Sequence, residues 1–348
     1  MKVLLFDTTQ AYLTPGGKQK QVQMLYEHLP KVGVEVEYAR WWDPDQTFDI
    51  AHFFGYRAPY LIDQVKQKNK KIVLTQVMDV HTNMTAFQKY FFGLKMKMVN
   101  NYLPHQIRGK FDGSSLNKYD ALVYMHKYDW LSAINMFQVN KNKTHIIPHA
   151  FNMPKNISGF SKLPGLPSKY LVSVGSIVPR KRPLLLAQYA KAAKIPVVFI
   201  GPGEESNPYY KQFKGQIDNK YVFYLGFADE TTKMSALNHA SGFVLLSTAE
   251  SGCIAVYEAG SLGLPLLLPN MLWAKAYTDP TDLYHCDVEQ SKKAVQQLAE
   301  FFDIAEKRDQ PTFKIHSWTE IAEMYKEVYQ KLLPPAKKIL PKEEGMLV

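Results

Sequence analysis

Cysteine is scarce in this chain: 348 residues include two, Cys253 and Cys286, too few for a disulfide framework or a thiolate metal site. Long hydrophobic runs are missing as well. No stretch approaches the roughly 18 uncharged apolar residues of a membrane-spanning helix. The opening Met1-Lys-Val-Leu-Leu-Phe-Asp7 meets an acid too soon for a secretory signal. There is no internal repeat and no low-complexity tract, which sets aside solenoids and disordered arrays. These absences lead us to expect a folded cytoplasmic protein. Acidic residues are also in short supply, 32 against 42 Lys and Arg, for a net charge of +10. Residues 1–160 hold 20 of the basic and 12 of the acidic residues, so the positive field belongs to the N-terminal half. An acidic partner is expected there, an anionic membrane surface or a charged acceptor, unless the charge is an ordinary solvated face.

What is present is an alternation of short apolar runs with helical patterns, the mark of parallel sheets with crossover helices. Runs such as Val3 to Asp7, Ile50 to Phe54 and Ala121 to Tyr124 read as strands of a first domain. Tyr170 to Val174, Val197 to Ile200, Val222 to Leu225, Gly242 to Leu246 and Pro265 to Leu268 read as strands of a second. Between the two sets lies Lys162-Leu-Pro-Gly-Leu-Pro-Ser-Lys169, a turn-rich link. The expected architecture is α/β, two doubly wound domains over residues 1–161 and 168–316, facing a cleft at the carboxyl ends of their strands. A final amphipathic helix is expected over 317–333, opened by Ser317 with Glu320 three residues on. The tail from Pro334 is expected to be loose.

The most informative stretch is Ser247-Thr-Ala-Glu250-Ser-Gly-Cys-Ile-Ala-Val-Tyr-Glu258-Ala-Gly-Ser-Leu-Gly-Leu-Pro265. It places two carboxylates eight residues apart around a strand-to-helix turn. Free amides at Gly252, Cys253 and Ile254, aided by the helix dipole, could hold a diphosphate. Side chains on a helix lean toward its N-terminus, so Glu258 can reach back to accept hydrogen bonds from ribose hydroxyls. Glu250, ahead of the turn, would face a sugar. The plainer alternative makes Ser247-x-x-Glu250 a capping box and Glu258 a solvated charge.

This pattern resembles the retaining glycosyltransferases of family 4, which have the GT-B fold. The resemblance extends over most of the chain and is strongest from Tyr170 to Leu268. Thr14-Pro-Gly-Gly17-Lys18 resembles the family's Gly-rich loop. Val174-Gly-Ser-Ile-Val-Pro-Arg180-Lys181-Arg182 resembles the loop whose Arg and Lys neutralise the leaving diphosphate. Lys181 falls on the family's lysine. Ser176 replaces its arginine, and Arg180 or Arg182 could supply the missing charge. Tyr224-Leu-Gly-Phe227-Ala228 resembles a station that borders the base, and Thr144-His-Ile-Ile-Pro-His149 one in which His149 replaces an Asn. The family often carries a His after the strand ending near Val77. Here Met78 holds that place, and His81 could act from a shifted position. The resemblance implies that the last helix returns to the first domain.

The resemblance further implies transfer of a hexosyl unit from a nucleotide-diphosphate sugar to a hydroxyl acceptor with retention, with no metal and no cofactor besides the donor. Lys181, Glu250 and His81 would be catalytic. Gly17, Arg180, Lys181, Phe227, Glu250, Gly252, Cys253, Ile254 and Glu258 would bind the donor. A non-catalytic nucleotide-sugar-binding protein, or a hydrolase, epimerase or phosphorylase of the same fold, remains open. Nucleic acid is not an expected partner, since basic charge is its only support. The acid-free segment Val80 to Phe111 interleaves Lys89, Lys95 and Lys97 with Phe87, Tyr90, Phe91 and Tyr102. It suits a membrane interface or a core helix with a basic wet face. The first would place the protein on the inner face of the membrane, with a lipid-linked or surface-polysaccharide acceptor.

Overall fold

The computed structural model describes residues 1–7, 16–40, 42–55, 59–76, 78–104, 107, 115–152, 159–277 and 283–334. Thr14 and Pro15 of the Gly-rich loop, Val77 and the tail after Pro334 lie outside the described residues.

Among the described residues twelve strands form two six-stranded sheets, parallel throughout. The first contains β1 (Lys2–Asp7), β2 (Glu35–Tyr38), β3 (Ile50–Phe54), β4 (Lys71–Thr75), β5 (Ala121–Tyr124) and β6 (Thr144–Ile146), in the order β2-β1-β3-β4-β5-β6. The second contains β7 (Leu171–Val174), β8 (Val197–Ile200), β9 (Val222–Tyr224), β10 (Gly242–Val244), β11 (Leu266–Pro269) and β12 (Leu283–Cys286), in the order β12-β11-β10-β7-β8-β9.

The continuous apolar runs follow from burial on both faces. Along β5, Ala121 and Val123 enter one core with the helices Gly17–His28 and Trp318–Leu332, while Leu122 and Tyr124 enter the other with Met96, Met136 and Phe137. In the second sheet Val198 and Ile200 face one core and Val197 and Phe199 the other. β12 was not anticipated from sequence: of its Leu-Tyr-His-Cys only Cys286 is buried, as suits an edge strand.

The last helix does return to the first domain. Ser317 Oγ accepts the amide of Glu320 at 3.2 Å and Glu320 Oε2 accepts the amide of Ser317 at 2.7 Å, a reciprocal cap. From there Trp318, Ile321, Ala322, Tyr325, Val328 and Tyr329, spaced three and four apart, enter the first core. A buried polar chain adds direction. His52 in β3 bonds Tyr329 Oη through Nδ1 at 2.7 Å and Thr75 Oγ1 through Nε2 at 2.8 Å, and Thr75 meets Tyr325 Oη at 3.0 Å. Burial pushes the His52 pKa down to about 3, so the ring is neutral and each nitrogen has a hydroxyl partner. Ala150 and His316 also form a bridge where the chain crosses back.

Candidate active site

In the second sheet the order in which strands are added reverses between β7 and β10, the first and fourth strands in sequence, which lie side by side and parallel. At such a switch point the two following loops diverge and leave a crevice. The loop after β7 carries Gly175, Ser176, Arg180 and Lys181, and the loop after β10 carries Glu250 to Cys253. Segments some 70 residues apart in sequence are thereby brought into contact.

Lys181 ends the short turn Pro179–Lys181, and its stem lies over Gly175, where an added Cβ would be 3.5 Å from Cδ. Its Nζ is 2.5 Å from Glu250 Oε1, and Arg180 Nη1 is 3.1 Å from the same oxygen. Arg180 also donates to the carbonyl of Ala249. Arg182 takes another direction. Its backbone is left-handed, with φ of 54°, and its guanidinium pairs with Glu289 at 2.8 Å. Of the two arginines that could replace the charge missing at Ser176, the geometry selects Arg180.

The helix Ile254–Ser261 has Cys253 as its N-cap, with no side-chain cap bond. Ser247 therefore does not cap it. Ser247 is buried, and its carbonyl accepts from Trp273 Nε1 at 3.1 Å. The turn also differs from a row of three free amides, because the Cys253 amide donates to Tyr277 Oη at 3.1 Å. Burial pushes the Cys253 thiol up to about 11, which fits a packing role. Glu258 is buried rather than solvated and meets Lys233 Nζ at 2.6 Å; Lys233 also reaches Glu230 at 2.9 Å. Burial raises the Glu258 pKa and Lys233 opposes that rise.

These groups line one cavity of about 500 Å³ between the two sheets. Gly17, Ser176, Arg180, Lys181, Glu250, Gly252, Cys253, Ile254 and Glu258, all singled out from sequence, share it. Gly17 faces Ile254 across the gap, 3.6 Å from an added Cβ to Cδ1. Lys18 of the Gly-rich loop and His149 line it too, as do Lys20, Gln21, Met125, Glu230 and Lys233, which sequence reasoning had not singled out. Lys18 reaches Asp7 at the end of β1 at 2.8 Å. Five cationic side chains against three carboxylates leave the cavity net positive, as an anionic ligand requires. The first domain closes on the turn directly: the Met78 amide donates to Ser251 Oγ at 3.0 Å.

Two expected residues are not among the cavity's lining. His81, on the short helix Asp79–Thr82, has its ring edge-on to Phe92 and Phe137 at 5.4 and 5.3 Å, where it joins the aromatic packing of the first domain. Phe227 is exposed beyond β9, the outer strand of its sheet and two strands from the switch point. Among the described residues no group of three or more His, Cys, Asp or Glu is placed to hold a metal ion.

Comparison with known proteins decides the class. Residues 158–314 match the model of the family Glycosyl transferases group 1. With that match and its two facing doubly wound domains, the chain is a glycosyltransferase of GT-B fold. Sucrose-phosphate synthase from Thermosynechococcus elongatus superposes on 95% of the chain and 98% of its own, with a TM-score of 0.63 at 14% identity. Anabaena HepE, in complex with UDP and glucose, covers 95% of this chain and 100% of its own, with a TM-score of 0.59 at 13% identity. WaaG, a glycosyltransferase involved in lipopolysaccharide biosynthesis, covers 95% of this chain and 98% of its own, with a TM-score of 0.56 at 11% identity. No curated protein matches the sequence of this glycosyltransferase. At such identities the three structures speak for the fold, and the roles of individual residues rest on the cavity itself.

Proposed function

We propose that this glycosyltransferase moves a hexosyl unit from a nucleotide-diphosphate sugar to a hydroxyl acceptor with retention of configuration, and that Lys181 and Arg180 take the leaving-group charge without a metal. The observation that carries this reading is the convergence of both cations on Glu250 beside Glu258 in one inter-domain cavity. With no ligand present the cations are held by Glu250. A diphosphate entering the cavity would compete for them and leave Glu250 free to accept sugar hydroxyls, while Glu258 accepts the ribose hydroxyls. No dedicated carboxylate nucleophile is evident, so same-face attack assisted by the leaving phosphate is the mechanism that the resemblance favours over a covalent intermediate. Anabaena HepE with UDP and glucose, and an E. coli structure bound with UDP-2-fluoro glucose, make uridine donors the first to try.

The test is a thermal-shift panel of UDP, GDP, ADP and their sugars, in which ligand at 100 times its dissociation constant stabilises by about 2.7 kcal/mol. Nucleotide release that requires an acceptor marks a transferase, and release without one marks a hydrolase. Glu258→Gln should weaken nucleotide binding and Glu250→Ala should mainly lower turnover. Each loss should be roughly 10- to 150-fold, since charge-assisted hydrogen bonds contribute about 1.5–3 kcal/mol. Full activity in either folded variant would remove that residue from the site.

The acceptor side of the proposal is a surface polysaccharide or glycolipid met at a membrane. The helix Ala86–Tyr102, capped by Thr85 and Gln88, buries Gly93, Met96 and Val99 and exposes Phe87, Tyr90, Phe91, Leu94, Met98 and Tyr102. These exposed residues recur at three- and four-residue spacing, so the outward face is an apolar crest rather than a basic one, with exposed Lys95 and Lys97 beside it. Lys89 is turned inward and donates to the carbonyl of Thr82 at 2.7 Å. No described helix is long and apolar enough to cross a membrane. Co-sedimentation with anionic but not neutral liposomes is expected. Lys95→Glu with Lys97→Glu should weaken the attraction by about 4 kcal/mol, since each reversal changes the charge by two at about 1 kcal/mol per charge near the leaflet. Wild type left in the supernatant with both lipids at low salt would rule the membrane out.

A further inference from the structure

Glu258 and Glu250 face the same cavity under different constraints. Glu250 meets two cations from its own crevice. Glu258 is buried on the helix Ile254–Ser261, and its near cation is Lys233, from the separate helix Glu230–Asn238. Lys233 is itself fixed from both sides, with Nζ 2.6 Å from Glu258 Oε1 and 2.9 Å from Glu230 Oε2, one turn back on its own helix. Only Oε1 of Glu258 is engaged in this pair. All three side chains line the cavity.

We propose that Lys233 is a positioning residue of the donor site. It holds the Glu258 carboxylate ionised and fixes its orientation through Oε1, which leaves Oε2 to accept a ribose hydroxyl. This rests on the reading that Glu258 receives the ribose. The physical need is clear: an ionised carboxylate this deeply buried is costly without a paired cation. Burial already works to raise the Glu258 pKa, Glu230 adds to the rise, and Lys233 and the more distant Lys20 oppose it. Lys233 stays protonated for the reciprocal reason. Burial works to lower its pKa, but Glu258 beside it leaves the value raised. Without Lys233, Glu258 would face Glu230 with only the more distant Lys20 opposing the effect of burial, and would take up a proton. A protonated carboxyl has one oxygen fewer to accept with.

The measurement is the UDP dissociation constant by calorimetry from pH 6 to pH 9 for wild type, Lys233→Met, Lys233→Gln, Lys233→Arg and Glu258→Gln. Each value is taken as a ratio to wild type at the same pH, so that titration of the phosphate cancels. Lys233→Met and Lys233→Gln should bind at least about tenfold more weakly at pH 6 and recover toward wild type at pH 9, since each pKa unit above the assay pH is a factor of ten in the ionised fraction. Lys233→Arg should stay near wild type throughout, and Glu258→Gln should be weak at every pH. A merely structural lysine would instead give a loss that does not change with pH. Flat ratios for both neutral variants, with Glu258→Gln still weak, would overturn the role of Lys233 and spare that of Glu258. Wild-type binding by Glu258→Gln would overturn the ribose reading itself.

Discussion

Lys181→Ala should lower kcat by about 10²- to 10³-fold, the usual loss when one preorganised group facing developing charge is removed. Lys181 is suited to that task because little about it can move. It ends a short turn opened by Pro179, its stem rests on Gly175, and its Nζ is largely enclosed against Glu250. A cation held in place before the reaction needs no reorganisation when the diphosphate departs. Arg180 reaches the same carboxylate from a more exposed position, with 42% of its side chain accessible against 14% for Lys181. Arg180→Ala should therefore cost about tenfold, in line with one exposed charged contact. Arg182→Ala should cost almost nothing, because its guanidinium is committed to Glu289 outside the cavity. Steady-state kinetics on the three variants check the order. A Lys181→Ala enzyme within about threefold of wild type would leave the leaving-group charge without its principal partner and defeat the assignment.

The order Lys181, Arg180, Arg182 also shows where sequence reading stops. That a basic cluster follows a buried strand was legible from Val174 to Arg182. Which of its members faces the crevice was not, because the left-handed backbone at Arg182 reverses the side-chain direction and no residue pattern announces it. The sheets were legible for the opposite reason. A strand buried on both faces must be apolar at consecutive positions, so runs such as Val197 to Ile200 could be read, whereas β12, with only Cys286 buried, offered no such run. The turn from Glu250 to Glu258 gave the location of the cavity but misled on its details. Ser247 has the spacing of a cap, yet the helix starts at Ile254, and one of the amides expected to be free is taken by Tyr277. Lys233 carried no local signal: it lies 25 residues before Glu258 on another helix, and only packing makes them partners.

Gly252→Ala should reduce kcat/KM by about 10²-fold or more, since displacement of a reacting group by about 1 Å costs that much. The new methyl carbon would lie 2.0 Å from His149 Cδ2, 2.6 Å from its Nε2 and 2.8 Å from Met125 Sδ. Both residues belong to the first domain, so the clash falls across the cleft. His149 cannot readily yield: it is buried, edge-on to Tyr257 at 6.1 Å and to Trp318 at 6.0 Å. Burial pushes its pKa down to about 4, so it packs as a neutral ring. The two sheets must then separate at the turn, which draws Gly17 and the acceptor side away from Lys181 and Glu250. Binding of free UDP, which rests on the second domain, should suffer far less than turnover. The decisive measurement is a double-mutant cycle with His149→Ala, which removes the obstructing ring. Activity restored in Gly252→Ala, His149→Ala relative to Gly252→Ala alone would locate the defect in domain approach. An equal loss with and without the ring would place it in the backbone of the turn, and the close meeting of the two domains at Gly252 would not be what turnover requires.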